Sequence, residues 1–176
     1  MLRIETPLTL EKLLNLEAGQ FLYLSGIIYT ARDQAHKRLV ELIRRDAELP
    51  FNLKESIIYY CGPTPAPKER VIGSCGPTTS LRMDGFIEPF LKRGLRGMIG
   101  KGRRSLTVRR LLKKYKAIYF LAPSGCGALL AKKVLSKKLV AFGELGPEAI
   151  YRLEVKDFPL IVGIDSRGVD IYENIE

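Results

Sequence analysis

Between Cys61 and Gly85 the chain is barred from being the interior of a helix or a sheet. A hydrophobic run, Ser56-Ile57-Ile58-Tyr59-Tyr60, stops at Gly62, Pro63, Pro65 and Pro67; a second, Val71-Ile72, stops at Gly73, Gly76 and Pro77. Proline removes a backbone donor and fixes φ, and glycine carries backbone entropy that a regular element must lose. The stretch therefore reads as a loop that its flanks have to hold in place. Ser74, Cys75, Thr78, Thr79 and Ser80 put hydroxyls and a thiol on it, and Arg82 follows directly. A loop that merely turns the chain has no need of that set. One that brings backbone and small hydroxyls up to a ligand does.

The flanks read as a scaffold. Leu2–Glu5 has the character of an edge strand, and Thr9 that of an N-cap before Leu10, Leu13 and Leu14 at helical spacing. Phe21 to Thr30 is apolar and β-rich, a strand. From Ala31 to Arg45, Ala35, Leu39, Leu42 and Ile43 mark one face of a helix. Arg32 then stands at a strand-to-helix junction, where free N–H groups and the positive dipole end favour an anion. Beyond the loop the pattern predicts a short helix over 83–91, a brief strand over 96–102 and a basic helix over 108–115. A buried strand over 117–122, a helix to about Lys133 and a strand over 138–142 follow. Two separate strand-like runs, 149–155 and 160–165, complete the series. Strands alternating with helices predict an α/β domain, and the crowding of strands near the end predicts a mixed central sheet flanked by helices. No repeat or linker interrupts residues 1–176, so a single domain is expected.

The formal net charge of +10 admits three kinds of partner: nucleic acid, an acidic small molecule or an acidic protein. The run Lys101-Gly102-Arg103-Arg104, continued by Arg109-Arg110 and Lys113-Lys114, lacks interleaved aromatics and any reading motif. It predicts a charged helix face, suited to an acidic partner, rather than a nucleic-acid interface. Cys61, Cys75 and Cys126 are in no zinc-like spacing and are joined by only one histidine, His36. No metal site is expected on this chain, and a reducing compartment is. The N-terminus lacks a signal-peptide h-region, and no apolar run approaches the roughly 20 residues of a membrane span, so a cytoplasmic protein is expected.

Three cations stand beside glycines or at element ends: Arg32, Arg82 and Lys101. In an open α/β sheet such positions gather at one edge, where ligands bind. Arginine offers a planar fork matched to a carboxylate and lysine a point charge, so the set suits a small dianion. Thr78 and Thr79 follow Pro77; a threonine hydroxyl transfers protons only in a preorganised, desolvated setting. Asp33 and Asp84 are either acid–base groups or partners of neighbouring arginines. His36, one turn inside its helix, is structural or supporting.

Four blocks carry a family resemblance: Thr30-Ala31-Arg32-Asp33-Gln34-Ala35-His36-Lys37-Arg38, Tyr60-Cys61-Gly62-Pro63-Thr64-Pro65, Gly73-Ser74-Cys75-Gly76-Pro77-Thr78-Thr79-Ser80 with Arg82-Met83-Asp84, and Gly94 to Gly102. They closely resemble the β subunit, or in other members the C-terminal domain, of class I fumarases and L-tartrate dehydratases. The resemblance implies a swivelling β/β/α domain and a hydro-lyase that reversibly hydrates a dicarboxylate, fumarate to (S)-malate in fumarases. It implies a four-iron, four-sulfur cluster held by a partner α subunit, activity only with that subunit, and a heteromer such as α2β2. Carried over position by position, its carboxylate cations fall on Arg32, Arg82 and Lys101 and its threonine pair on Thr78 and Thr79, with Thr78 as the base at C3 of malate. The acid for the departing hydroxyl is expected on the partner. L(+)-tartrate dehydration to oxaloacetate uses the same cations and stands as the alternative within the family. A lone dicarboxylate sensor and an RNA-binding module stand outside it, and the latter leaves the glycine-framed cations unexplained.

Overall fold

The computed structural model describes residues 1–174. Two long strands organise it: β2 (Phe21–Thr30) and β7 (Ile150–Ile164) pair antiparallel from Phe21 opposite Ile161 to Tyr29 opposite Arg152. Alternation along β2 turns Leu22, Leu24 and Ile28 inward, and a register shift between Leu24 and Gly26 adjusts the pairing. The two halves of each long strand then serve different neighbours. β1 (Leu2–Glu5) runs parallel to the first half of β2, and β6 (Val134–Ala141) antiparallel to the first half of β7. The last residues of β2, Tyr29 and Thr30, pair instead with β3 (Ile57–Tyr59). β4 (Gly97–Gly100) and β5 (Ile118–Leu121) continue the parallel set, and β5 pairs with the end of β7. Following β2, β3, β4, β5 and β7 back to β2, the hydrogen bonding closes a ring.

The inside of the ring is one core, with Leu24, Ile28, Tyr59, Ile99, Phe120, Phe158 and Val162 among its buried members. The outside of the parallel strands is a second. There α2 (Asp33–Arg44), α3 (Ile87–Lys92) and α4 (Leu106–Tyr115) set Ala35, Leu39, Phe90, Val108 and Leu112 against Ile58, Tyr60, Met98 and Tyr119. Buried on both faces, β3 and β4 have no polar side to show, as parallel strands under helices should not. Leu13 of α1 (Leu10–Leu14) and Leu130 of α5 (Gly127–Ala131) join the inner core. The architecture is mixed α/β, a sheet of both strand directions flanked by helices, as expected. Among the described residues no helix is long and apolar enough to cross a membrane.

Three local expectations change. The runs 149–155 and 160–165 are one strand, β7, despite Asp157-Phe158-Pro159 between them. Asp157 takes a left-handed conformation (φ 49°), and residues 157–160 lie between the reach of β6 and that of β5, so proline meets a local free edge. β6 begins at Val134 rather than Lys138 because it follows β7 from Val155 down to Ile150. The helix read over 83–91 is a 3-10 segment, Ser80–Phe86, leading into α3.

Candidate active site

The parallel strands β2, β3 and β4 end side by side, joined past their last residues by Ala31 N–H to Tyr59 O (3.1 Å) and Tyr60 N–H to Ile99 O (2.8 Å). The loops that leave these ends carry the predicted residues: Arg32 after β2, the stretch from Cys61 after β3, and Lys101 after β4. This is the carboxyl edge of a parallel set, where α/β sheets bind ligands.

The glycine- and proline-rich loop is held at three points along its course. Thr64 and Gly73–Ser74 pinch its neck: Thr64 N–H donates to Ser74 O, Gly73 N–H to Thr64 O, and Ser74 N–H to Thr64 Oγ1 (2.8 Å). Its middle is tied by Cys75 N–H to Gly127 O (3.2 Å) and by the Tyr59 hydroxyl donating to Cys75 O. On its return, Thr78 N–H donates to Tyr60 O (2.7 Å), Thr79 forms a parallel bridge with Lys101, and Ser80 N–H donates to Lys101 O (3.1 Å). The loop thus adds a short extension to the sheet, with the threonine pair alongside Lys101. Thr78 is half-buried and Thr79 exposed, and among the described residues neither hydroxyl has a hydrogen-bond partner.

The cations sit around that extension. Arg82, in the 3-10 segment, reaches back to α2 and donates from Nη2 to Asp33 Oδ2 at 2.9 Å, while remaining 49% exposed. Arg32 precedes α2 in extended backbone (φ −116°, ψ −162°), and its side chain lies across Gly62 of the loop. A Cβ at position 62 would stand 2.9 Å from Arg32 Nη1, so glycine there makes room for the guanidinium. Lys101 is half-buried. Arg32, Arg82, Lys101, Thr78 and Thr79 are therefore linked through Asp33, Gly62, Tyr60 and Ser80 into one neighbourhood. It reaches solvent at Thr79 and Arg82, and a broad depression elsewhere, lined by Asp46, Pro50, Phe51 and Arg93, holds none of these residues.

His36 and Asp84 lie beneath this surface rather than on it. The His36 ring is fully buried against Tyr60, Phe86 and Phe90, with Nδ1 2.7 Å from Arg32 O, the geometry of an Nδ1–H donor. Burial is the main cause that lowers its pKa to about 4, so the ring is neutral at pH 7. Asp84 is engaged on both oxygens, by Arg104 Nε (2.6 Å) and by Ser105 N–H (2.7 Å). Arg104 was expected on a charged surface; its side chain is fully buried, with the guanidinium carbon 4.9 Å from the Tyr119 ring centroid and 5.3 Å from that of Tyr60. The Tyr119 hydroxyl lies 2.9 Å from both Ser80 Oγ and Gly102 O, clasping the returning loop to the end of β4. Nothing in the local sequence marks Arg104 as different from its basic neighbours, because its partners come from other elements.

Cys61 and Cys75 are buried, and Cys126 is half-buried. Contact with the Cys75 thiol, reinforced by burial, pushes the Cys61 thiol up. Among the described residues no three His, Cys, Asp or Glu side chains converge on a point where a metal ion would sit.

The Fumarase C-terminus family matches residues 1–175. A protein of Methanocaldococcus jannaschii, provisionally named an L(+)-tartrate dehydratase subunit beta, is 43% identical over 174 residues, spanning 96% of this chain and 89% of that protein. The L(+)-tartrate dehydratase subunit beta of Escherichia coli K12 is 36% identical over 171 residues, 94% of this chain and 83% of its own length. The anaerobic class I fumarate hydratase of the same organism is 39% identical over 156 residues, which is 88% of this chain but 28% of that longer protein.

Proposed function

Because the chain belongs to the fumarase C-terminus family, we propose that it is the β subunit of a two-subunit iron–sulfur hydro-lyase that interconverts fumarate and (S)-malate. The observation that carries this reading is the meeting of Arg32, Arg82, Lys101 and the Thr78–Thr79 pair at the carboxyl edge of β2, β3 and β4. Two arginine forks and an ammonium suit the two carboxylates of a short diacid, each charge-assisted hydrogen bond contributing roughly 1.5–3 kcal/mol. Thr78 is the base. Its oxygen takes the proton from C3, the C–H electrons form the double bond, and the C2 hydroxyl leaves as water with a proton supplied by the partner. A threonine hydroxyl is far too weak a base in water, so the step uses its alkoxide: the hydroxyl proton passes to solvent before the substrate is enclosed, the neighbouring cations lower the cost of the negative form, and the C3 proton restores the hydroxyl.

In this reading the four-iron, four-sulfur cluster belongs to a partner α subunit, in a heteromer such as α2β2. In this division of labour the chain's share of the reaction is binding carboxylates and moving the C3 proton. The solvent exposure of Thr79 and Arg82 supports a site finished by a second chain, which on docking shuts out water. A charge of +10 suits an acidic partner surface.

L(+)-tartrate dehydration is the second reading, favoured by one observation: the relatives that match nearly end to end bear that name. Anaerobic co-purification with a candidate cluster-bearing subunit, followed by assays on fumarate, malate and tartrate, separates the two. Turnover of fumarate and malate that needs both chains is expected; turnover of tartrate alone would transfer the assignment. In the active complex, Thr78→Ala is expected to lower kcat by about 10²-fold or more with KM little changed. A change confined to KM would remove Thr78 from proton transfer.

A further inference from the structure

The turn between β6 and β7, Gly143–Glu148, lies far along the chain from the loops that carry the cations, yet the fold brings it to Arg32. Three attachments hold it there. The buried Thr30 hydroxyl, at the end of β2, donates to Ala149 O (3.3 Å) and accepts from Tyr151 N–H (3.0 Å). Arg38, on α2, pairs with Glu144 and lies over the Phe142 ring, 5.1 Å from its centroid. The Tyr151 hydroxyl donates back to Gly146 O at 3.0 Å. At the end of this braced turn, Glu148 Oε1 stands 3.9 Å from Arg32 Nε.

Arg32 accordingly runs through a slot. Gly62 and the turn meet beside it: a Cβ added at position 62 would stand 2.9 Å from Arg32 Nη1 and 3.2 Å from Pro147 O. Inside the slot Nε is buried and has no hydrogen-bond partner among the described residues. The side chains of Arg32 and Glu148 are 28% and 30% exposed, so the pair sits at the slot's mouth. A guanidinium has two faces for anions, the Nε edge and the terminal fork. At 3.9 Å the carboxylate is within ion-pair range and beyond hydrogen-bond length, enough to orient the group without consuming its fork.

We propose that Glu148 is a positioning residue that holds the Nε edge of Arg32 and so aims its terminal fork at a substrate carboxylate, an inference that rests on Arg32 being a cation of the dicarboxylate site. Glu148 touches no substrate; it acts through Arg32 alone. The carboxylate offsets part of the guanidinium charge, trading some attraction for a fixed direction, and preorganised direction is what bidentate binding rewards.

The test is a double-mutant cycle in the reconstituted two-subunit enzyme, reading kcat/KM and the inhibition constant of succinate, an unreactive diacid. Glu148→Ala is expected to lower kcat/KM about tenfold and to raise the succinate constant by a similar factor. Glu148→Gln, whose amide oxygen can still face Nε, should recover part of the loss. In an Arg32→Ala background, or Arg32→Lys should the alanine variant misfold, Glu148→Ala should cost less than about twofold more. Two results overturn the inference while sparing the carboxylate site: a severe Arg32→Ala defect with none from Glu148→Ala, or a Glu148→Ala defect undiminished when Arg32 is gone. An Arg32→Ala enzyme with wild-type succinate affinity overturns both. In the full chain alone, the Arg32 Nε–H resonance should move on Glu148→Ala while the pattern of backbone amides outside the turn is kept; an unmoved resonance also overturns the inference.

Discussion

Burial among Tyr60, Phe86 and Phe90 holds the imidazole of His36 neutral and brings its pKa to about 4, against the opposing effect of the hydrogen bond to the Arg32 carbonyl. The unfolded chain returns it to about 6.5, so between these values the unfolded state binds the extra proton. Stability should be complete above about pH 6.5, fall as pH drops towards 4 and gain no further loss from this residue below that, a span of up to about 3 kcal/mol. His36→Phe removes the proton site while keeping an aromatic ring. Urea unfolding at pH 7 and pH 4.5 should show wild type losing about 2 kcal/mol more than the variant between the two; equal losses would mean that His36 is not the titrating group. Sequence alone placed His36 a turn inside its helix but could not say which neighbours would surround it. The same limit hid Arg104 and Glu148, whose roles come from Asp84, Tyr119 and Arg32 on other elements. Arg32, Arg82 and Lys101 were legible because each is announced by its own neighbours in the chain, an element end or a glycine.

For the elements, the return of the long loop to the sheet matters most. The Tyr119 hydroxyl, on β5, clasps Ser80 to Gly102, and Ser80 N–H donates to Lys101 O within the same clasp. Tyr119→Phe should cost about 1–3 kcal/mol, the penalty for stranding buried partners of a lost hydroxyl. Hydrogen exchange at the Ser80 amide should accelerate relative to the Ala31 and Tyr60 amides, which bind the strand ends independently; uniform acceleration would show that the hydroxyl supports the whole sheet and not the clasp. Most strands were legible to within a residue or two, since Phe21–Thr30 and Ile118–Leu121 are dominated by β-type residues. β7 was not, because Asp157 and Pro159 carry local signals of a break, and only its pairing with β2 and the free edge beside Pro159 show why the strand continues. The 3-10 segment Ser80–Phe86 starts ahead of the helix expected over 83–91 for a similar reason: its start is bound to Lys101 rather than marked by a cap.

At the scale of the molecule, a positively charged body presents partly exposed cations, and in the proposed function a second chain encloses the substrate they bind. Electrostatic attraction between exposed surfaces is screened over about 8 Å at physiological salt and over less at higher salt. The dissociation constant of the complex with the proposed cluster-bearing subunit should therefore rise at least tenfold between 50 and 500 mM NaCl, by calorimetry, with the melting temperature of this chain nearly unchanged. A salt-independent constant would assign the contact to apolar surface instead. The α/β class and the mixed sheet were legible from the order of segments, whereas the closed ring was not, because closure depends on β2 finding β7.

That ring also sets a timetable. As the chain is synthesised, β2 emerges early and its inner edge stays unsatisfied while β3, β4 and β5 are made, since its antiparallel partner is β7. Contacts between segments so distant along the chain form slowly, and an open strand edge in the interval invites pairing with other chains. A ribosome halted between Lys101 and Ile150 would hold every cation and both threonines of the candidate site, on a polypeptide that still lacks the strand that closes the ring.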